Sequence, residues 1–252
     1  MNFFVRLFNT ILAEPLLNLL VIFYLYVPGK NLGIAIIFLT LLIRGLLYPL
    51  QKKATKSQLA MQAIQPKMKE IQKKYKDDRA KQGAEVMALY KQEKINPFSG
   101  FLVMLIQFPV LIALYRLFLH GLTAERMNSL YSFVPQPETI NSVFLGIDLN
   151  EPSVVLAILV GIAFFVQAKT AMISSPKKTE KEKENAKTKG EKKPVFGEAM
   201  QKQMQYFFPI FIVMILWNLP SALGLYLLVS GSATSAQQYF IRKKYQESKQ
   251  QP

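Results

Sequence analysis

Hydrophobic positions in this chain gather into long runs separated by polar stretches, with little alternation between the two. A helix needs about 20 apolar residues to cross a hydrocarbon core. Runs of that kind fall at 32–50, 98–122 and 153–173, with a close pair at 203–218 and 221–241. Asn218-Leu219-Pro220-Ser221 divides the pair and reads as a tight turn between antiparallel helices. Pro109 and Pro209 remove backbone donors inside runs and bend them, which membrane helices tolerate because neighbouring groups re-satisfy the freed carbonyls. The pattern predicts an all-α polytopic membrane protein with five transmembrane helices. Residues 1–31 precede the first run, and 4–27 read as an amphipathic, interface-lying helix. Arg6 and the apolar stretch after it would also suit a cleaved leader, but the small-x-small exit is poor and Glu14 and Pro15 sit early.

The polar stretches differ in kind. Residues 51–97 predict a cytoplasmic helical hairpin. Met61, Ile64, Met68, Ile71 and Tyr75 form a seam of coiled-coil spacing, answered by Val86, Leu89 and Tyr90. Lys76-Asp77-Asp78 and Gly83 mark the turn region, and Pro66 kinks or restarts the first arm. The seam can simply pair the two arms. Methionine also adapts to varied apolar partners, which makes Met61, Met68 and Tyr75 candidate contacts for a mobile hydrophobic segment. Residues 174–202 are a Lys/Glu-rich loop of low complexity that reads as disordered in part.

Charge then orients the runs. Residues 51–96 carry 12 Lys/Arg against 5 acids, 123–152 carry 1 against 4, 174–202 carry 9 against 5, and the tail 242–252 carries 4 against 1. Rich and poor segments alternate, so the rich ones lie in the cytoplasm, 123–152 lies outside, the N-terminus is out and the C-terminus in. The net charge of +15 is therefore mostly topology, and specific nucleic-acid binding is not needed to explain it. Cysteine is absent, which excludes a thiol nucleophile, a disulfide framework and a Cys-based metal site. The single histidine, His120, sits at a run end and reads as an interface residue. With no paired nucleophile and base, and no metal motif, the chain is read as neither an enzyme nor a cofactor protein.

Arg44 is the exception inside a run. It lies six residues before Leu50, about 9 Å from the cytoplasmic end of a straight span. A charge there costs about 2.5–3.5 kcal/mol on insertion scales, so it should face protein or water. Thr40, Arg44 and Tyr48 share one stripe at i, i+4, i+8. No acidic residue falls inside any run, but Gln107, Gln167, Ser230, Ser232, Thr234, Gln237 and Gln238 do. Two readings stand: a hydrated, positive groove open to the cytoplasm, or an arginine that snorkels to the headgroups. Arg116 and Lys169, nearer run ends, read as snorkelling.

These residues carry a resemblance. I-R-x-L-x-x-P-L at Ile43–Leu50, Q-P-x-x-x-x-I-Q-x-K-Y at Gln65–Tyr75, N-P-x-x-G at Asn96–Gly100, L-I-Q-x-P at Leu105–Pro109 and P-x-x-x-x-L-Y at Pro220–Tyr226 together are similar to the YidC/Oxa/Alb membrane protein insertases. Leu227 and Phe101 depart from residues common in that family. The resemblance covers the chain from about residue 14 and implies a short form without a large extracytoplasmic domain. It implies five core helices, a cytoplasmic hairpin, and a substrate groove with Arg44, Thr40, Tyr48, Gln107, Gln167, Ser230, Thr234 and Gln237 in its wall. It also implies insertion and chaperoning of nascent membrane proteins in a bacterial plasma membrane without nucleotide, alone or beside the Sec translocon; the basic tail itself is a candidate ribosome contact. The alternative is a small-molecule or ion transporter, which would want intramembrane acids or inverted repeats; neither is visible.

Overall fold

In a computed structural model, the structure describes residues 3–96, 98–119, 127–173 and 207–250. His120, the 174–202 loop and the first residues of the 203–218 run lie outside the described residues. The described chain is mostly helical. α1 (Phe3–Phe8) and α2 (Glu14–Tyr26) are joined by a π-helical turn at Asn9–Ala13. Pro15 explains the turn. It has no N–H for the carbonyl four residues back, and a wider coil relieves the clash of its ring. α3 (Leu32–Leu46), α4 (Tyr48–Ala63), α5 (Gln65–Lys74), α6 (Arg79–Gln92), α7 (Ser99–Leu119), α8 (Val154–Ile173), α9 (Phe207–Leu216) and α10 (Ser221–Gln250) follow. A two-stranded antiparallel hairpin, β1 (Val143–Phe144) and β2 (Ile147–Asp148), stands between α7 and α8.

The first run does not stay one straight helix. It breaks at Leu47, and α3 and α4 meet at 61°. Pro49 is the cause: α4 begins with it in the first turn, where a missing N–H costs nothing. Pro66 likewise restarts the chain as α5 after a cap at Ile64. Gly83, expected near the turn, lies inside α6, because Asp78 caps that helix by accepting from the Lys81 N–H at 2.9 Å. The last run also continues past its expected end. α10 extends unbroken through 242 to Gln250, about 45 Å of helix.

The core is formed mainly by one face each of α2, α3, α7, α8 and α10. Leu16, Leu20 and Val21 of α2 meet Leu32, Ala35, Ile36, Leu39 and Ile43 of α3. Ala113, Leu114 and Leu117 of α7, Ala157 and Val160 of α8, and Leu223 and Tyr226 of α10 complete it. The outward faces are equally apolar. Phe38, Leu41 and Leu46 on α3, Leu102, Leu105 and Ile112 on α7, and Val155, Ile158 and Ile162 on α8 are all exposed. A helix apolar all round is a helix that meets lipid or core on every side. Of the described helices, only α1–α2 as the unit Phe3–Tyr26 is long and apolar enough to cross a membrane alone; α3 and α4 pass only as a bent pair. Where helices touch, small residues allow close approach, as in Gly224 against Leu156 and Gly161 against Val213.

The segment 127–152 is bound to the N-terminal helices. Asn18, 1% exposed, accepts from the Tyr131 N–H at 2.8 Å and donates to the Ser129 carbonyl at 3.5 Å. The Tyr24 hydroxyl donates to the Thr139 carbonyl at 3.1 Å and accepts from the Asn141 N–H at 2.9 Å. Asn31 caps α3 at Gly33 and donates to the Val143 carbonyl at 2.7 Å. Phe144 lies across Gly33, and any Cβ at that position would run into its ring.

Gly33→Ala is expected to cost about 1–3 kcal/mol of stability through overpacking, read as a lower thermal midpoint in detergent. Part of the loss should return in the double variant with Phe144→Ala, which removes the ring from the Cβ's path. Strictly additive losses would mean that the ring moves aside freely.

Candidate functional site

Arg44 sits in the last turn of α3, one residue before the exposed Gly45, where the chain is about to bend. Opposite it, α10 presents a hydroxyl. The Arg44 Nε donates to the Ser230 Oγ at 2.8 Å, and a terminal guanidinium nitrogen reaches the same oxygen. No ion pair is formed by Arg44 among the described residues, which matches the absence of acids from the runs. The contact is a charge-assisted hydrogen bond to a neutral acceptor. Tyr226 stands on α10 one turn before Ser230, and Gln107 of α7 donates its amide to the Tyr226 hydroxyl. A polar chain thus crosses three helices, from Arg44 through Ser230 and Tyr226 to Gln107, inside a frame of Ile, Leu and Val.

This chain borders a cavity of about 850 Å³. Arg44, Gln107, Gln167, Ser230 and Thr234 line it, and so do Met61 and Met68 from the hairpin arm. Phe108, Phe164, Phe208 and Phe211 supply an aromatic wall from α7, α8 and α9. The site therefore offers one cation, amides and hydroxyls on one side, with aromatic and thioether surface on the other. The buried Gln107 Oε1 has no hydrogen-bond partner among the described residues. The arrangement can hold an extended peptide's polar groups beside an apolar surface. It contains no nucleophile paired with a base and, among the described residues, no cluster of metal-ligating side chains.

The other expected site residues lie elsewhere. Thr40 is 1% exposed and donates to its own helix at the Ile36 carbonyl, 2.6 Å away. Tyr48 belongs to α4, beyond the bend, and does not line the cavity. The stripe Thr40-Arg44-Tyr48 is thus corrected: an i+4 relation drawn across Leu47 assumes one axis where there are two. Gln237 is near the site but turns to the backbone, its Nε2 donating to the Arg44 carbonyl at 3.1 Å. Tyr75 ends α5 at the hairpin turn, bonded to Glu85 at 3.4 Å and flanked by Lys74 and Lys81 over its ring. Met68 has two roles, since its Sδ also accepts from Tyr90 at 3.6 Å. Arg116, expected to snorkel, lies 5.5 Å over the Phe8 ring.

Two features at or beside the cavity are not marked as such in the sequence. One is Tyr226, which the core hides and only its partners disclose. The other is a ladder of uncharged polar residues on α4 and α5: Gln51, Thr55, Gln58, Gln62 and Gln65 all line the cavity. Their spacing of 4, 3, 4 and 3 was visible beside the methionine seam, as the side of a lysine-rich segment that carries no lysine.

Comparison with known proteins adds an independent finding. Residues 22–249 match the family model described as 60Kd inner membrane protein. The chain is 35% identical to a protein of Syntrophobacter fumaroxidans named membrane protein insertase YidC, over 93% of this chain and 38% of that protein. A protein of the same name in Syntrophus aciditrophicus is 35% identical over 92% of this chain and 36% of its own length. The one in Francisella tularensis subsp. novicida is 32% identical over 86% and 33%. The chain thus spans well under half the length of these relatives.

Ser230→Ala should cost about 1.5–3 kcal/mol, the value of a hydrogen bond to a charged group, because the guanidinium loses its acceptor. Thermal unfolding in detergent checks it. A double-mutant cycle of Ser230→Ala with Tyr226→Phe should show coupling of about 0.5–3 kcal/mol, since the two hydroxyls belong to one network. Zero coupling would break the proposed chain from Arg44 to Gln107.

Proposed function

The chain belongs to the 60Kd inner membrane protein family, and from that premise we propose that it inserts nascent membrane proteins and helps them fold. The observation that carries the proposal is the placement of Arg44: a cation held by Ser230 at the wall of a cavity that continues onto Met61 and Met68 of the hairpin. The cavity serves as a groove open to the cytoplasm. The hydrophilic tail of a substrate enters it, where Arg44 attracts acidic side chains and backbone carbonyls. Gln107, Gln167 and Thr234 supply the hydrogen bonds that hydrocarbon cannot. The apolar barrier ahead of the tail becomes shorter by the depth of the groove. The attached apolar segment then passes into lipid, and its burial drives the step without nucleotide. Methionines on the hairpin suit that segment because they adapt to many side-chain shapes.

In this reading five spans cross a bacterial plasma membrane, with the hairpin and the end of α10 in the cytoplasm. The charge alternation along the chain supports that orientation. The contacts of the N-terminal helices support an interfacial rather than spanning α1–α2, long as it is. Phe8 meets Arg116 near the end of α7, Asn18 meets 129–131, and Tyr24 meets 139–141. All three are extracytoplasmic in the proposed topology, so the helix lies along one face. Substrates are nascent membrane proteins, with the Sec translocon and the ribosome as further partners.

Arg44→Ala should reduce insertion of single-span substrates with acidic tails by about ten-fold or more, the loss of one charged contact of 1.5–3 kcal/mol. Arg44→Lys should restore part of it, because the charge matters more here than the planar fork. Protease protection of substrates in proteoliposomes measures both. Normal insertion of a broad substrate panel by Arg44→Ala would overturn the assignment of the cavity.

A further inference from the structure

A second cavity, of about 400 Å³, lies on a different face of α4 and shares no lining residue with the first. Leu50 and Lys53 of α4 form one side, Leu102 and Leu105 of α7 the other, and Asn96, Phe98 and Ser99 close the end where the hairpin returns to α7. We propose that it is a binding site for an anionic phospholipid of the cytoplasmic leaflet, with the phosphate on Lys53 and an acyl chain along Leu102 and Leu105. The site rests on the reading of α7 as a membrane-embedded helix.

Three observations converge on that occupant. First, the lining is sorted by polarity along its length. The lysine, the Asn96 amide and the Ser99 hydroxyl stand at one end, and leucines continue away from them into the apolar part of α7. A molecule with a charged head and a hydrocarbon tail matches this order. A soluble anion would leave the leucines bare, and an apolar peptide would leave the lysine unmet. Second, Leu102 and Leu105 are 46% and 49% exposed, so no described part of the chain covers this track. Third, Lys53 is exposed and forms no ion pair among the described residues, and the neighbouring stretch of α4 contains no acid to compete for it.

The walls are also held in place before any lipid arrives. The Ser57 hydroxyl donates to the Asn96 carbonyl at 2.7 Å, which ties the returning end of the hairpin to α4. Asn96 in turn accepts from the Phe98 N–H at 2.9 Å and from the Ser99 hydroxyl at 2.9 Å. A preformed cleft loses little conformational freedom on binding. A bound lipid would bridge the two strands of chain by which the hairpin leaves and re-enters the membrane, and so fasten its base to the bilayer surface.

The test uses the full chain in neutral detergent, titrated with phosphatidylglycerol or phosphatidylcholine and read by native mass spectrometry. The wild type should retain phosphatidylglycerol in preference to phosphatidylcholine. Lys53→Gln should weaken the phosphatidylglycerol adduct about ten-fold, the worth of one charged hydrogen bond, while Lys52→Gln stays near wild type. Leu102→Trp, which fills the apolar track, should weaken the adduct with the lysine intact. Equal losses in Lys52→Gln and Lys53→Gln would reduce the effect to diffuse charge and overturn the site. Displacement of the lipid by inorganic phosphate would overturn it in favour of a soluble anion. Arg44-dependent insertion, assayed on the same wild-type preparation, tests the other reading. A missing lipid preference in a preparation that still inserts substrate overturns the lipid site alone.

Discussion

A guanidinium on a helix of isoleucine, leucine and glycine has to be solvated from outside that helix, and much of the arrangement follows from how this is done. Removing a charge from water without compensation costs several kcal/mol. Arg44 is met by a hydroxyl of α10 at the wall of the cavity, and among the described residues it forms no ion pair. A salt bridge would have quenched the cation and filled the gap. A serine, being neutral, leaves the charge of the guanidinium unquenched at the cavity wall. The close approach of α3 and α10 that makes this possible is also what buries Tyr226, and Tyr226 passes the polar connection on to α7.

The cavity draws its walls from parts of the chain with opposite habits. Its inner side belongs to apolar helices whose outward faces are exposed leucine, isoleucine and phenylalanine. Its outer side belongs to the first hairpin arm, whose remaining surface is lysine. Among the described residues the arm meets its partner through Lys67 with Glu93 at 2.7 Å, Tyr75 with Glu85 at 3.4 Å, Gln82 with the Gln72 carbonyl at 3.0 Å, and Tyr90 with Met68. An exposed ion pair of that kind contributes about 0–1 kcal/mol. Burial between the arms pushes the Tyr90 phenol up, so it stays a neutral donor to sulfur. Met68 belongs to both the arm pairing and the cavity lining, so movement of the arm and reshaping of the cavity are one event.

The helical architecture and the choice of Arg44 were legible in the sequence because both rest on composition over long windows. An arginine in nineteen apolar residues stands out without any geometry. The polar partners Gln107, Gln167, Ser230 and Thr234 were legible for the same reason. Tyr48 departs from the stripe because periodicity assumes a straight axis and Pro49 breaks it, whereas Thr40 keeps the axis of Arg44 but is buried and bonded to its own helix. Tyr75 was grouped with Met61 and Met68 because a seam has no marked end, yet the turn at 76–78 takes it away from the cavity. Tyr226 could not be singled out, since a tyrosine at a core position reads as packing until its hydroxyl is seen among polar neighbours. The extension of α10 was concealed by its own charges, which mark a topological boundary but not a helical one.

The hydrogen bond between Arg44 and Ser230 joins positions 186 residues apart. Ribosomes extend a chain at about 5–20 residues per second, so Arg44 emerges some ten seconds or more before its acceptor exists. The clasp of Asn18 and Tyr24 on 129–141 waits for more than a hundred residues in the same way. For that interval the arginine lacks the Ser230 hydroxyl, and α3 cannot take up its final contact with α10. α3 is thus completed late, only once an acceptor 186 residues further along the chain has been made.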